Sequence, residues 1–322
     1  MRKTLFISLL FFIVLSLLLS CEKEVSIVLP NAQIKPVIEG KIEPNFPPLI
    51  IVTKNMDYFA QTDINTINNL FIHNATIIIK TDSSEVTLTE YCTSDIPDSL
   101  KPYLKDFYPV ISALTGIPIE FISTYNYCIY STVDFSVWGD FGKKYDLTIK
   151  TDNKIYTAST TIPNAVNLDS LWFKPKNIND SLGYVWAKLT DPPEIGNCYR
   201  WFAKRLGKDN AFIAPRNSSF EDKFVNDKTF NFGYTRGSMS NSAAAEDNNR
   251  ERGAYKFNDT VVVKFCTIDR ATFEFIDDYE TSLSSGGNPF GSPSSIKSNI
   301  NGGALGYWGG YGVVYDTLII KP

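Results

Sequence analysis

The sequence predicts a mainly β chain of two domains, an N-terminal immunoglobulin-like β-sandwich followed by a second β-rich domain with one or two short helices. Aromatic residues make up 14% of the chain, and Thr, Val and Ile recur in short runs, which is strand composition rather than helix composition. Many of these runs alternate apolar with polar residues, the period of a strand with one buried face. Removing the N-terminal segment described next leaves about 300 residues, a length that favours two domains over one.

The chain opens with Arg2 and Lys3, continues through sixteen largely apolar residues from Leu5 to Ser20, and meets Cys21 followed by Glu22, Lys23 and Glu24. That is the layout of a secretory signal peptide over residues 1–20. A spanning helix needs about 20 apolar residues, so an uncleaved signal anchor is the competing reading. Leu18-Leu19-Ser20-Cys21 resembles a bacterial lipobox, which implies that Cys21 receives a diacylglycerol and becomes the first residue of the processed chain. The step needs a thiol, because its thiolate attacks the lipid donor where a hydroxyl would not. Such a lipid holds a protein at the membrane through roughly 0.8 kcal/mol per buried methylene. Residues 21–34 then form a tether.

The first β domain is expected over 35–163. Ile38 to Ile42, Leu49 to Thr53, Ala75 to Ile79 and Val86 to Thr89 read as strands, and Tyr145 to Lys150, the turn at Asp152-Asn153 and Ile155 to Ala158 read as a hairpin. Between Cys92 and Cys128 the pattern changes. Tyr103, Leu104, Phe107, Val110, Ile111 and Leu114 fall at helical spacing, predicting a helical insertion at 95–116 that serves either as a recognition surface or as a lid on the sandwich edge. The second domain, 166–322, follows a linker at Pro163 to Asn167. It is expected to hold strands at Leu168 to Phe173, Tyr184 to Leu189, Tyr199 to Leu206, Val261 to Thr267 and Val313 to Ile320, a helix at Arg270 to Leu283, and a mobile loop at Ser238 to Arg250.

The charge and motif content narrows the function. A net charge of −4 leaves no basic footprint for nucleic acid. There is one histidine, His73, so any imidazole-based metal site or triad has to be built on it, and a surface or structural role is expected instead. No metalloprotease, CxxC, phosphate-loop or nucleophile-elbow motif occurs. Asp277, Asp278 and Glu280 lack the spacing of a calcium loop and read as a solvated helix face. The expectation is a non-enzymatic chain with no cofactor and no metal; a glycosidase with carboxylates brought together by the fold is the minor alternative.

Cys92 and Cys128 bracket the insertion and are placed to close it as a disulfide, whereas Cys198 and Cys266 sit in apolar runs typical of buried free thiols. The glycine-rich tail from Gly302 to Gly312 has two readings: tight bends covered by rings, or ligand-facing aromatics at Tyr307, Trp308 and Tyr311. Five tripeptides of Asp, Ser or Thr, and an aliphatic residue begin at Asp98, Asp169, Asp180, Asp259 and Asp316, and resemble O-glycosylation acceptors of Bacteroidota envelope proteins; as plain strand or helix starts they mean nothing further.

Several segments together carry a wider resemblance: the acidic stretch after the lipobox, VIEGKI from Val37, YDLTIKTDNKIYTASTTIP from Tyr145, and NPFGSPSSIKSNINGGALGYWGG from Asn288. They resemble the Bacteroidota lipoprotein family of domain of unknown function 4249, over nearly the whole processed chain. The insertion around Tyr103 to Leu114 departs from the family pattern. The resemblance implies an outer-membrane lipoprotein, surface-exposed on the evidence of Glu22-Lys23-Glu24, that serves a TonB-dependent transporter in nutrient capture or receptor assembly. A self-standing adhesin or glycan-binding module is the alternative.

Overall fold

The computed structural model describes residues 33–56, 63–96, 112, 122, 124–178, 180–237, 251, 253–285 and 296–322. The signal peptide, Cys21, the mobile loop expected at 238–250 and nearly all of the insertion expected at 95–116 lie outside these residues. The chain is mainly β, with three sheets and two short helices named among the described residues.

The first half alternates as its sequence dictates. Strand β1 (Pro36–Ile42) buries Ile38, Gly40 and Ile42 and leaves Glu39 outward, and β2 (Leu49–Lys54) returns antiparallel with Ile50 and Val52 on the same side. Helix α1 (Ile64–Asn68) follows, capped by Asp63, whose carboxylate accepts from Thr66 N at 2.7 Å. Strands β3 (Thr76–Lys80) and β4 (Glu85–Thr87) start a separate four-stranded sheet. Past Leu88 the chain crosses to the first sheet as β5 (Thr89–Cys92) and β6 (Cys128–Ser131). It then returns as the hairpin β7 (Lys144–Thr151) and β8 (Lys154–Thr161). Its two turn residues, Asp152 and Asn153, have φ of 48° and 58°, the left-handed pair that a tight hairpin requires.

The second half repeats this arrangement. Strands β9 (Ser170–Pro175), β10 (Leu182–Thr190), β13 (Thr229–Tyr234) and β14 (Tyr255–Lys256) form another four-stranded sheet. Strands β11 (Cys198–Arg205), β12 (Ser219–Glu221), β15 (Thr260–Ile268) and β16 (Leu305–Ile319) join the first sheet. The result is an eight-stranded sheet in the order β12-β11-β15-β16-β1-β2-β6-β5, in which β1 and β16 run parallel at the centre.

Strand β16 shows how the layers stack. Its even-numbered residues share one face. On that face Trp308 enters the core made by Ile38, Ile50, Ile77, Leu147 and Tyr156, while Val314 and Leu318 pack on the core made by Val185, Leu189, Trp201, Val263 and Phe265. Both four-stranded sheets therefore cover the same face of the large sheet. On the opposite face Tyr307, Tyr311 and Val313 meet Phe273 and Ile276 of helix α2 (Arg270–Ser285). Asp269 caps this helix, accepting from Thr272 N at 2.8 Å and from Thr160 Oγ1 at 2.5 Å.

The boundary expected between residues 163 and 166 falls between two hydrophobic cores and between the two four-stranded sheets, while the eight-stranded sheet takes strands from both sides of it. Residues Ile34–Pro322 form one compact unit. The linker crosses β16 where a Cβ at Gly310 would lie 2.6 Å from the Thr161 carbonyl oxygen and one at Gly312 would lie 2.2 Å from that of Pro163. Only glycine allows the two backbones to pass so closely. Among the described residues no helix is long and apolar enough to cross a membrane.

Candidate functional site

The three tail aromatics offered as possible ligand-facing residues face the interior. Trp308 is fully buried and donates its indole N–H to the Tyr145 carbonyl at 3.0 Å. Tyr311 lies beneath α2, and Tyr307 is half-buried there with its ring 4.7 Å from that of Phe275. The glycines beside them serve close packing on both faces: a Cβ at Gly306, where φ is +102°, would lie 1.9 Å from the Ile38 carbonyl oxygen, and one at Gly309 would lie 2.3 Å from Thr272 Oγ1. Of the two readings of the tail, the structure takes the one in which glycines admit neighbouring chain and rings fill the space between.

A cleft of about 130 Å³ opens on the α2 side of the large sheet, lined by Lys41, Glu43, Phe46, Pro47, Leu49, Phe212, Lys264 and Tyr315. Strand alternation puts Lys41 of β1 and Lys264 of β15 on this side, and the chain leaving β1 adds Glu43. Both carboxylate oxygens of Glu43 accept from Lys264 Nζ at 2.6 Å, and Lys41 Nζ lies 3.8 Å away. Burial works against the Glu43 carboxylate, but the two ammonium groups outweigh it and hold its pKa below the ordinary value. Burial likewise works against the Lys264 ammonium and Glu43 outweighs it, so that pKa is raised. Lys41 is less well compensated: burial lowers its pKa to about 8 against the partial support of Glu43. The cleft thus combines a paired charge on its floor, one weakly held ammonium and walls from Phe46, Phe212 and Tyr315.

At the far edge of the sheet Cys92 and Cys128, directly opposed in β5 and β6, form a disulfide with Cα atoms 4.1 Å apart. The bond sits beside His73, whose Nδ1 lies 2.6 Å from Glu90 Oε1, 4.0 Å from Cys92 Sγ and 3.9 Å from Cys128 Sγ. Cys198 and Cys266 are free and buried, as expected, and burial pushes each thiol up to about 12.

Residues 22–316 match the family described as a domain of unknown function, number 4249. The chain belongs to this family. No curated protein and no solved structure matches it. Of the segments that carry the resemblance, VIEGKI lies in β1, the run from Tyr145 is the hairpin with the linker after it, and the glycine-rich tail from Gly302 leads into β16; the acidic stretch at 22–24 and residues 288–295 lie outside the described residues.

The other sequence-predicted residues scatter. The carboxylates of α2 turn to separate partners, Asp278 accepting from Lys297 N at 3.0 Å and Glu280 from Asn217 N at 2.5 Å, so they do not converge on one point. Of the Asp-led triplets, the one at Asp98 lies outside the described residues, Ser170, Ser181 and Thr317 are exposed, and Asp259 is buried against Lys208. Sequence reasoning missed the Lys41–Glu43–Lys264 cluster and the neighbours of the disulfide. The outward positions of Lys41 and Lys264 within apolar strands were the available signal for the first.

Proposed function

We propose that this chain is a non-enzymatic, lipid-anchored outer-membrane lipoprotein that faces the cell surface and acts as an accessory or ligand-capture partner of a TonB-dependent transporter. The lipobox at Cys21 supports the anchor. A tether of residues 21–34 has 14 residues and reaches at most about 50 Å, which would keep the body close to the membrane and to any barrel in it. The observation that carries the partner role is the size of the cleft. Pockets that enclose a free metabolite run to roughly 300–1,000 Å³. A cleft of about 130 Å³ with an ion pair on its floor suits a single side chain or small acidic group presented by a partner protein.

Affinity purification from native membranes in mild detergent is expected to recover a β-barrel transporter with the chain; recovery of the lipoprotein alone overturns the reading. Cys21→Ser is expected to abolish palmitate labelling and leave the larger precursor in the inner membrane. Labelled, outer-membrane Cys21→Ser protein overturns the anchor.

The glycan-binding alternative loses its tail aromatics but gains another support. Trp172 and Trp186 pair across β9 and β10 on the outer face of the small sheet, rings stacked 6.3 Å apart, with Lys174 Nζ 4.7 Å from the Trp186 ring. A glycan array separates the two: binding that is lost in Trp172→Ala favours the module, and an empty array favours the transporter partner. We also read residues 35–163 as immunoglobulin-like, since the strands they contribute to two sheets pair antiparallel with one another and enclose the first core, with the chain switching sheets between β4 and β5.

A further inference from the structure

The histidine of this chain, both cysteines of its disulfide and a glutamate converge at one place. The imidazole Nδ1 of His73, a carboxylate oxygen of Glu90 and the Sγ atoms of Cys92 and Cys128 all lie within 4.8 Å of one another. We propose that these four side chains are a redox-gated zinc site: the disulfide is its closed, metal-free state, and after reduction by a dithiol the two thiolates, His73 and Glu90 bind one Zn²⁺.

The ligand set and the spacing carry this. Zn²⁺ takes four ligands in a tetrahedron, with sulfur at about 2.3 Å and nitrogen or oxygen at about 2.0–2.2 Å. The edges of such a tetrahedron measure about 3.3 to 3.8 Å. His73 Nδ1 is 4.0 and 3.9 Å from the two sulfurs, and Glu90 Oε1 is 3.5 Å from Cys92 Sγ. These three distances approach the required edges, while His73 Nδ1 and Glu90 Oε1, hydrogen-bonded at 2.6 Å in the metal-free state, have to open to about 3.3 Å as the ion replaces the proton between them. Breaking the S–S bond frees both sulfurs to separate to about 3.8 Å by side-chain rotation, which makes room for the ion at the centre.

The surroundings hold the ligands in place. Glu90 is fixed by its second oxygen, Oε2, which accepts from Asn74 N at 2.9 Å, so Oε1 stays turned toward His73 and Cys92. Directly opposed strand positions hold the two cysteines from either side of the β5–β6 pair. His73 is 42% exposed, giving the ion and the reductant a route from solvent, while Cys92 and Cys128 are buried. Two thiolates and an imidazole suit borderline-soft Zn²⁺ better than Ca²⁺ or Mg²⁺, which take oxygen ligands.

The chemistry balances with a dithiol as reductant. One dithiol gives up two electrons and two protons, becoming a cyclic disulfide, and the Cys92–Cys128 bond becomes two thiols. Zinc binding then displaces a proton from each thiol. Two thiolates and one carboxylate on Zn²⁺ leave a net charge of −1. Reoxidation passes two electrons from the Cys92 and Cys128 thiolates to a disulfide, which takes two protons from water and leaves as two thiols; the Cys92–Cys128 bond reforms and the metal is expelled, so the bond and the ion exclude each other.

The test uses the full chain in detergent, reduced with a phosphine, desalted without oxygen and titrated with Co²⁺. One equivalent is expected to give thiolate-to-cobalt charge-transfer absorption and tetrahedral d–d bands, both bleached by one equivalent of Zn²⁺, with none of this in the oxidised chain. The double variant Cys92→Ser/Cys128→Ser is expected to show no charge-transfer band. His73→Ala, with its disulfide intact before reduction and its circular dichroism unchanged, is expected to bind Zn²⁺ at least tenfold more weakly once reduced. Bound Zn²⁺ is also expected to slow reoxidation of Cys92 and Cys128 by oxidised glutathione at least tenfold. A reduced chain that gives no cobalt spectrum, a spectrum that survives in the double variant, or an affinity unchanged in His73→Ala each overturns the proposal. If reduction loosens the fold, recovery of the native circular dichroism with one equivalent of Zn²⁺ supports the site and failure to recover it overturns it.

Discussion

The eight-stranded sheet carries two pairs of cysteines, one toward each edge, and only one pair is bonded. Cys92 and Cys128 face each other directly across β5 and β6. Cys198 pairs with Ile268, and Cys266 with Arg200, so the second pair is offset by two residues across β11 and β15. Diagonal neighbours of this kind have Cβ atoms roughly 7 Å apart, beyond the about 3.8 Å a disulfide requires. Both pairs lie on adjacent antiparallel strands in a sheet of one composition. Register alone separates a covalent clasp from two buried apolar groups, which α2 covers together with Ile268 and Phe273.

The comparison can be tested in order of effect. The widest margin is in reactivity. With thiols pushed up to about 12 against an ordinary value near 9, Cys198 and Cys266 hold about a thousandth of the usual thiolate at pH 8. Iodoacetamide is expected to leave both unlabelled in the native chain and to label both in urea; rapid native labelling would show that α2 does not seal them. Next comes the clasp. Closing a loop with a sequence separation of 36 stabilises by about 4 kcal/mol on the chain-entropy account, so Cys92→Ser/Cys128→Ser is expected to lose that much in urea melts while Cys198→Ala/Cys266→Ala loses about half or less. Equal losses would erase the distinction between the edges.

At the seam between the halves, Gly306→Ala forces a Cβ onto the backbone of Ile38 at a positive φ, and is expected to cost about 3 kcal/mol through steric overlap and strain. A neutral substitution there would mean that the β1–β16 pairing is not held at Gly306. Lys264→Met removes the near partner of the buried Glu43 and leaves Lys41 at 3.8 Å. A loss of about 2 kcal/mol is expected, much of it recovered in Lys264→Met/Glu43→Leu.

The smallest effect is the pH response of Lys41. Its folded pKa, lowered by burial to about 8, lies under the unfolded value of 10.5. Between those values the unfolded chain binds more protons, so this group adds stability as pH rises. The urea midpoint of the wild type is expected to climb relative to that of Lys41→Met from pH 8 to 10. Parallel curves would show that the Lys41 ammonium is as well solvated in the fold as out of it.

Local pattern made most of the strands legible. The hairpin of β7 and β8 was readable down to its turn, because alternation and an Asp-Asn pair with left-handed backbone are short-range properties. Helix α2, starting at Arg270, was readable from its 3.6-residue spacing. What stayed hidden depends on pairing between distant segments. Nothing near Val37 announces Leu305 as its neighbour, so the two expected domains emerge as two cores on one shared sheet. The two readings of Tyr307, Trp308 and Tyr311, ring-covered bends or ligand-facing aromatics, stay open in the sequence because only the crossing linker and α2, placed over them by the fold, decide between the two. His73 looked incidental for the same reason, since its neighbours Glu90 and Cys128 come from two other segments.

The central pairing also sets a clock. Strand β1 gains β2 almost at once, but its other neighbour, β16, comes from the opposite end of the described chain. At roughly 5–20 residues per second of synthesis, the interval between their appearances is on the order of tens of seconds, against microseconds for a hairpin to close. Throughout that interval one side of β1 is a bare row of amide and carbonyl groups able to pair with any extended chain nearby. A chain wired in this way leaves that edge open to other strands until β16 arrives.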